Sequence, residues 1–119
     1  MTLELGMITI DCEDPQRLAA FWTGALGVSI AQDYGDFLFL TPAREGGPTL
    51  GFQRVPEPRA GKNRVHIDFG AHDREEEVKR LVELGATEGE RHEQPGLVWT
   101  VLTDPEGNEF CVANQASPV

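Results

Sequence analysis

Five side chains in the second half of this chain have types and spacings that could support chemistry. In Arg64-Val65-His66-Ile67-Asp68-Phe69, polar and apolar residues alternate with period two. A strand with that pattern presents Arg64, His66 and Asp68 on one face and Val65, Ile67 and Phe69 on the other. Near the C-terminus, Glu109 and Cys111 stand two apart and share a face in the same way. An imidazole and a carboxylate are a general acid–base pair when both reach a substrate. An imidazole with a carboxylate or a thiolate is also a metal-ligand set. Cys111 reads as a small buried residue and not as a nucleophile, because no helix N-terminus or adjacent base is evident to lower its pKa.

His66 has two open readings: a group that contacts a ligand, or a structural imidazole bonded to Asp68, Gln53 or Glu109. Glu109 likewise reads as a base or as the partner of Arg64 or Arg54. Trp99 alternates with Val101 and Thr103 on a strand pattern, where an indole can cover a sheet or stack on a ligand. Trp22 sits on a helical apolar stripe and reads as core. His72 and His92, in polar contexts, read as surface residues, and Asp104 and Gly107 as turn formers.

The elements that must hold these residues recur in order. Leu5 to Asp11 reads as a strand. Asp14-Pro15 reads as a helix start, and Leu18, Phe21, Trp22, Ala25 and Leu26 follow at helical spacing before Gly27. Val28 to Ala31, Phe37 to Leu40 and Thr49 to Val55 read as three short strands. The second half repeats this. Arg64 to Phe69 is a strand, Asp73 an N-cap ahead of Glu75, Glu76 and Glu77, and Val78, Leu81 and Val82 an apolar face ending at Gly85. Strands follow at Ala86 to Arg91, Leu97 to Thr103 and Asn108 to Ala113. Thr9 to His66 is an offset of 57, and Gly27 to Gly85 and Gln53 to Cys111 are offsets of 58. The fold class predicted is α+β, as two βαβββ modules in a single domain over residues 1–119: module one 1–55, a linker over 56–63 and module two 64–119.

The stretches ITIDCEDPQRLAAFWTGALG, FQRVPEPRAGKNRVHIDF and GLVWTVLTDPEGNEFCV resemble the glyoxalase/bleomycin resistance/extradiol dioxygenase superfamily, the vicinal oxygen chelate fold. The resemblance is closest to small bacterial glyoxalase-like domain proteins. It implies curved sheets enclosing a cavity, and usually a homodimer. It also implies four metal ligands, two per module, which carry over to Thr9, Gln53, His66 and Cys111. Only His66 is a strong family-type ligand there, so the expectation is no resident cofactor. If a divalent metal were held, His66 with Glu109 or Cys111 would hold it. The ligand-binding residues expected are Gln53, Arg64, His66, Trp99, Glu109 and Cys111, with Phe37 or Phe39 as a further aromatic wall. The function expected is capture of a small aromatic or cationic molecule in the cavity, of the bleomycin-resistance kind. The alternative is a lyase, isomerase or dioxygenase with His66 and Glu109 as catalytic residues.

Composition narrows the partners. The formal charge of −10 opposes a phosphate backbone and argues against nucleic acid. No apolar run approaches the roughly 20 residues of a membrane helix. Two cysteines and no leader-like start predict a cytoplasmic location.

Overall fold

A computed structural model describes residues 3–114. The chain divides into two compact units, Met1–Arg59 and Ala60–Val119. The first contains β1 (Met7–Cys12), α1 (Pro15–Leu26), β2 (Ile30–Asp33), β3 (Phe37–Leu40) and β4 (Thr49–Arg54). The second contains β5 (Ile67–Ala71), α2 (Arg74–Leu84), β6 (Thr87–Gln94), β7 (Leu97–Thr103) and β8 (Glu109–Asn114). Each unit is a βαβββ module with one four-stranded sheet, in the orders β1-β4-β3-β2 and β5-β8-β7-β6. In both, the first strand runs parallel to the last and the remaining pairs are antiparallel. The protein is α+β, with the repeat that the sequence offsets imply. Among the described residues no helix is long and apolar enough to cross a membrane.

The helix ends follow from their capping chemistry. The Asp14 carboxylate accepts the Arg17 amide at 3.1 Å, with Pro15 in the first turn. The Asp73 carboxylate accepts the Glu76 amide at 3.1 Å. Gly27 closes α1 at a φ of 69°, in the left-handed region that glycine enters without steric cost. Leu18, Phe21 and Trp22 are buried with Leu38, Leu40 and Phe52, which forms the core between α1 and its sheet. In the second unit Val78, Leu81, Leu102, Phe110 and Val112 form the corresponding layer.

Several element edges differ from the sequence expectation, each for a local reason. Val28 is not in a strand: its amide donates to Thr23 O at 3.2 Å and extends the helix cap, so β2 begins at Ile30. The strand expected over Arg64 to Phe69 starts only at Ile67, opposite Phe110. The next amide along β8, Glu109 N, is taken by the Asn63 side chain at 3.1 Å, which leaves 63–66 outside the ladder. Val65 is accordingly 74% exposed and not part of the apolar face assigned to it. Val82 is also exposed, and Arg74 takes the third place on the buried face of α2. Residues 74, 78 and 81 follow helical spacing, which puts Val82 at the margin. The Arg74 guanidinium Nη1 donates to the buried Thr100 hydroxyl at 2.7 Å. β6 runs on to Gln94 because Pro95-Gly96 makes a two-residue hairpin, with Gly96 at a φ of 79° and Gln94 opposite Leu97.

Candidate functional site

Strand alternation gives the second sheet two different faces. Thr100, Leu102, Phe110 and Val112 are buried on the α2 side. Trp99, Val101 and Thr103 therefore point the other way, as do their cross-strand partners Ala113, Cys111 and Glu109. Asp68 is level with Cys111 across the parallel β5–β8 pair. These residues line an open hollow of about 990 Å³ within the second unit.

The corresponding face of the first unit carries no comparable chemistry. There Phe37 and Phe39 pair with Gln53 and Gly51. By the repeat, Val101 and Thr103 occupy those two places in the second unit, opposite Cys111 and Glu109. A methyl group on Gly51 would lie 2.9 Å from Met7 Sδ and 3.2 Å from Phe37 Cε1, so those side chains already occupy the space above it. Tyr34, Phe37 and Phe39 form a row with ring centroids 6.5 and 6.0 Å apart. Large aromatic side chains thus crowd the space above Gly51 on one sheet, where a valine and a threonine stand at the corresponding places on the other.

At the floor of the hollow, His66 Nδ1 is 3.0 Å from Asp68 Oδ1 and 4.0 Å from Cys111 Sγ. His66 is half exposed and Cys111 is buried. Burial pushes the Cys111 thiol up to about 11 from an ordinary 9.0. The Asp68 carboxylate adds to this as hydrogen-bond acceptor and as charge, Glu109 adds charge, and Lys62 opposes them. The free thiol is therefore protonated and non-nucleophilic at neutral pH. Of the structural readings of His66, the bond to Asp68 is the one formed.

The wall of the hollow is aromatic. His92 and Trp99 stack with centroids 5.3 Å apart and planes at 24°. His92 Nε2 lies 3.4 Å from Glu90 Oε1. The lining is acidic: Asp68, Glu88, Glu90 and Glu109 face a single lysine, Lys62. Among the described residues the Glu88 and Glu109 carboxylates make no ion pair.

His66, Trp99, Glu109 and Cys111 thus come together within one unit. Arg64 is exposed ahead of β5 and does not line the hollow. Gln53 lies on β4 of the first unit, where its side-chain amide donates to Asp36 O at 3.3 Å and Arg54 O at 3.4 Å. Arg54 pairs with Asp36 at 3.0 Å and not with Glu109. Thr9 is exposed on β1. His92, read as a surface residue, is half exposed and also lines the hollow. The two-residue turn at Pro95-Gly96 fixes its register opposite Trp99, and counting back from that turn would have found it. The bond of His66 to Asp68 was among the sequence readings, but only the register of Asp68 with Cys111 brings the three groups together.

The four positions implied by the superfamily do not make its usual metal site. Thr9 offers a neutral hydroxyl and Gln53 an amide, in place of imidazole or carboxylate donors. The second unit instead groups His66, Asp68 and Cys111, whose ligand atoms lie within 4.8 Å of one another. Imidazole, carboxylate and thiolate together do suit a divalent ion. Glu109, expected as an alternative ligand, is outside this group.

Similarity to known proteins agrees with this architecture. A glyoxalase/bleomycin resistance protein/dioxygenase family enzyme from Burkholderia phytofirmans superposes with a TM-score of 0.78 at 22% identity, covering 94% of this chain and 98% of that one. The fosfomycin resistance protein of Mesorhizobium loti superposes at 0.74 with 15% identity, covering 98% and 95%. A glyoxalase/bleomycin resistance protein from Albidiferax ferrireducens gives 0.68 at 19% identity, covering 93% and 98%. At these identities the likeness is one of fold. No curated protein sequence matches significantly. A family model, glyoxalase-like domain, matches residues 7–113 and so spans both units. The chain belongs to the glyoxalase-like domain family, within the vicinal oxygen chelate superfamily.

Proposed function

We propose that this protein binds a small, planar, cationic aromatic molecule in the hollow of its second unit and sequesters it, in the manner of a bleomycin resistance protein. The observation that carries this reading is the pairing of a stacked Trp99–His92 wall with the unpaired carboxylates of Glu88 and Glu109. An indole attracts a cation over its face, by roughly 0.5–2 kcal/mol depending on desolvation. Carboxylates without ion-pair partners add Coulomb attraction that salt weakens. In this reading the protein is a cytoplasmic homodimer, and its two modules form one domain.

The test is a fluorescence titration in EDTA. Proflavine, a planar aromatic cation, is the probe and 2-naphthoate is the anionic control. Proflavine is expected to bind saturably, about 2- to 30-fold more weakly to Trp99→Ala, and more weakly as salt rises. Equal binding of both probes, or no effect of Trp99→Ala, would contradict the reading.

A second reading has its own support. Asp68 holds His66 by Nδ1, which leaves Nε2 free as a proton acceptor toward the hollow. That arrangement suits a lyase, isomerase or dioxygenase in which His66 is the base. It differs from the sequence expectation in that Asp68, and not Glu109, is the partner of the imidazole. Turnover of the captured ligand that is lost in His66→Gln, with binding retained, would favour it over sequestration.

A further inference from the structure

His66, Asp68 and Cys111 bring three different donors to one point on the open face of the second unit. His66 Nδ1 lies 3.0 Å from Asp68 Oδ1 and 4.0 Å from Cys111 Sγ, and one ligand atom from each residue falls within 4.8 Å of the others. A tetrahedral zinc ion, with bonds of about 2.0 Å to nitrogen and oxygen and about 2.3 Å to sulfur, sets its donors about 3.3 to 3.6 Å apart. The observed separations bracket that spacing. Two of the three residues are set side by side by the backbone, since Asp68 and Cys111 are register partners across the parallel β5–β8 pair. The third, His66, is half exposed ahead of β5 and can turn to adjust.

We infer that His66, Asp68 and Cys111 form a three-donor site for a thiophilic divalent metal ion, zinc being the fitting choice, contained wholly within the second unit. One carboxylate and one thiolate carry two negative charges and so neutralise a divalent ion. The thiolate favours zinc over magnesium, calcium or manganese, which prefer oxygen donors. This is a different donor set from the one the superfamily resemblance implies. It uses Asp68 and dispenses with Thr9 and Gln53. The hollow borders the three donors and gives the ion a way in. Binding is an exchange without electron transfer: the Cys111 S–H bond breaks, sulfur bonds the metal, and the proton passes to solvent. The neutral His66 ring ligates through Nδ1, so its single proton moves from Nδ1, where it faces Asp68 in the metal-free protein, to Nε2. The inference does not rest on capture of an aromatic cation, which is measured in EDTA.

The test uses cobalt(II), a spectroscopic stand-in for zinc, added to tag-free protein cleared with EDTA and dialysed. One equivalent is expected to give a near-ultraviolet thiolate-to-cobalt charge-transfer band, intense visible bands of a four-coordinate ion, and release of about one proton per metal. Zinc should displace the cobalt and erase the bands. Cys111→Ser is expected to lose the charge-transfer band, while Cys12→Ser keeps it. Asp68→Asn and His66→Gln, at exposed positions that leave the core intact, should weaken binding at least tenfold, in line with losing one metal contact. Only the pale spectrum of a six-coordinate aqueous ion, a charge-transfer band that survives in Cys111→Ser, or unchanged affinity in Asp68→Asn would overturn the inference.

Discussion

The Cys111 thiol offers a quantitative probe of how dry and how negative the floor of the hollow is. Burial first, then the Asp68 carboxylate, raises its pKa from 9.0 to about 11. At pH 8 an ordinary thiol of pKa 9.0 is about one-tenth thiolate, and one of pKa 11 about one-thousandth, so alkylation through the thiolate should be about 100-fold slower. Iodoacetamide rates in EDTA, with peptide mass spectrometry separating Cys111 from Cys12, should rise tenfold per pH unit without levelling off through pH 10. Asp68→Asn should bring the plateau to lower pH by removing the charge. It should not restore pH 9, because burial, the larger cause, remains. The same shift couples to stability. The folded state holds this proton more tightly than the unfolded chain, so the contribution is fully present below about pH 9 and is lost as pH rises toward 11. Its size is about 2–3 kcal/mol, from roughly 1.4 kcal/mol per pKa unit. A plateau in the alkylation rate below pH 9.5, or no effect of Asp68→Asn, would refute this account of the floor.

Two further substitutions test how the sheet is built. A methyl group at Gly89 would sit 2.8 Å from the Val101 carbonyl oxygen. Gly89→Ala should therefore push β6 from β7, cost about 1–3 kcal/mol and lower the melting temperature in proportion; an unchanged melting curve would show that the strands have room there. Asp104 is buried, and its carboxylate accepts the Glu106 amide at 2.9 Å, the Asn108 amide at 3.0 Å and the Asn108 side-chain amide. Asp104→Ala should cost about 2–3 kcal/mol and loosen the turn that leads to Glu109 and Cys111, visible as faster amide exchange at the start of β8.

The frame was legible because its signals are local. Asp14 and Asp73 cap the helices they precede, Gly27 and Gly85 end them, and short β-branched and apolar runs mark β3 and β7 at their observed ends. Edges were less so where a long-range bond decides them, as with Asn63 on Glu109 N. Arg74 reads as a solvent charge in any sequence pattern, and its burial goes with its bond to Thr100 and its ion pair with Glu75. In the site, the shared face of Glu109 and Cys111 and the side of β7 that carries Trp99 followed from strand alternation, whereas His66 lies just ahead of β5. The union of Asp68 with Cys111, and of His92 with Trp99, required the cross-strand register. The open face of the second unit carries Val101 and Thr103 at the places where Phe37 and Phe39 stand in the repeat.

The most direct measurement of the binding reading is a nuclear magnetic resonance titration of nitrogen-15-labelled protein with proflavine in EDTA. The account predicts saturable shifts of the Trp99 indole N–H and of backbone amides on β7 and β8, with the buried Trp22 indole N–H unmoved. Saturable binding that leaves the Trp99 indole resonance in place would contradict it.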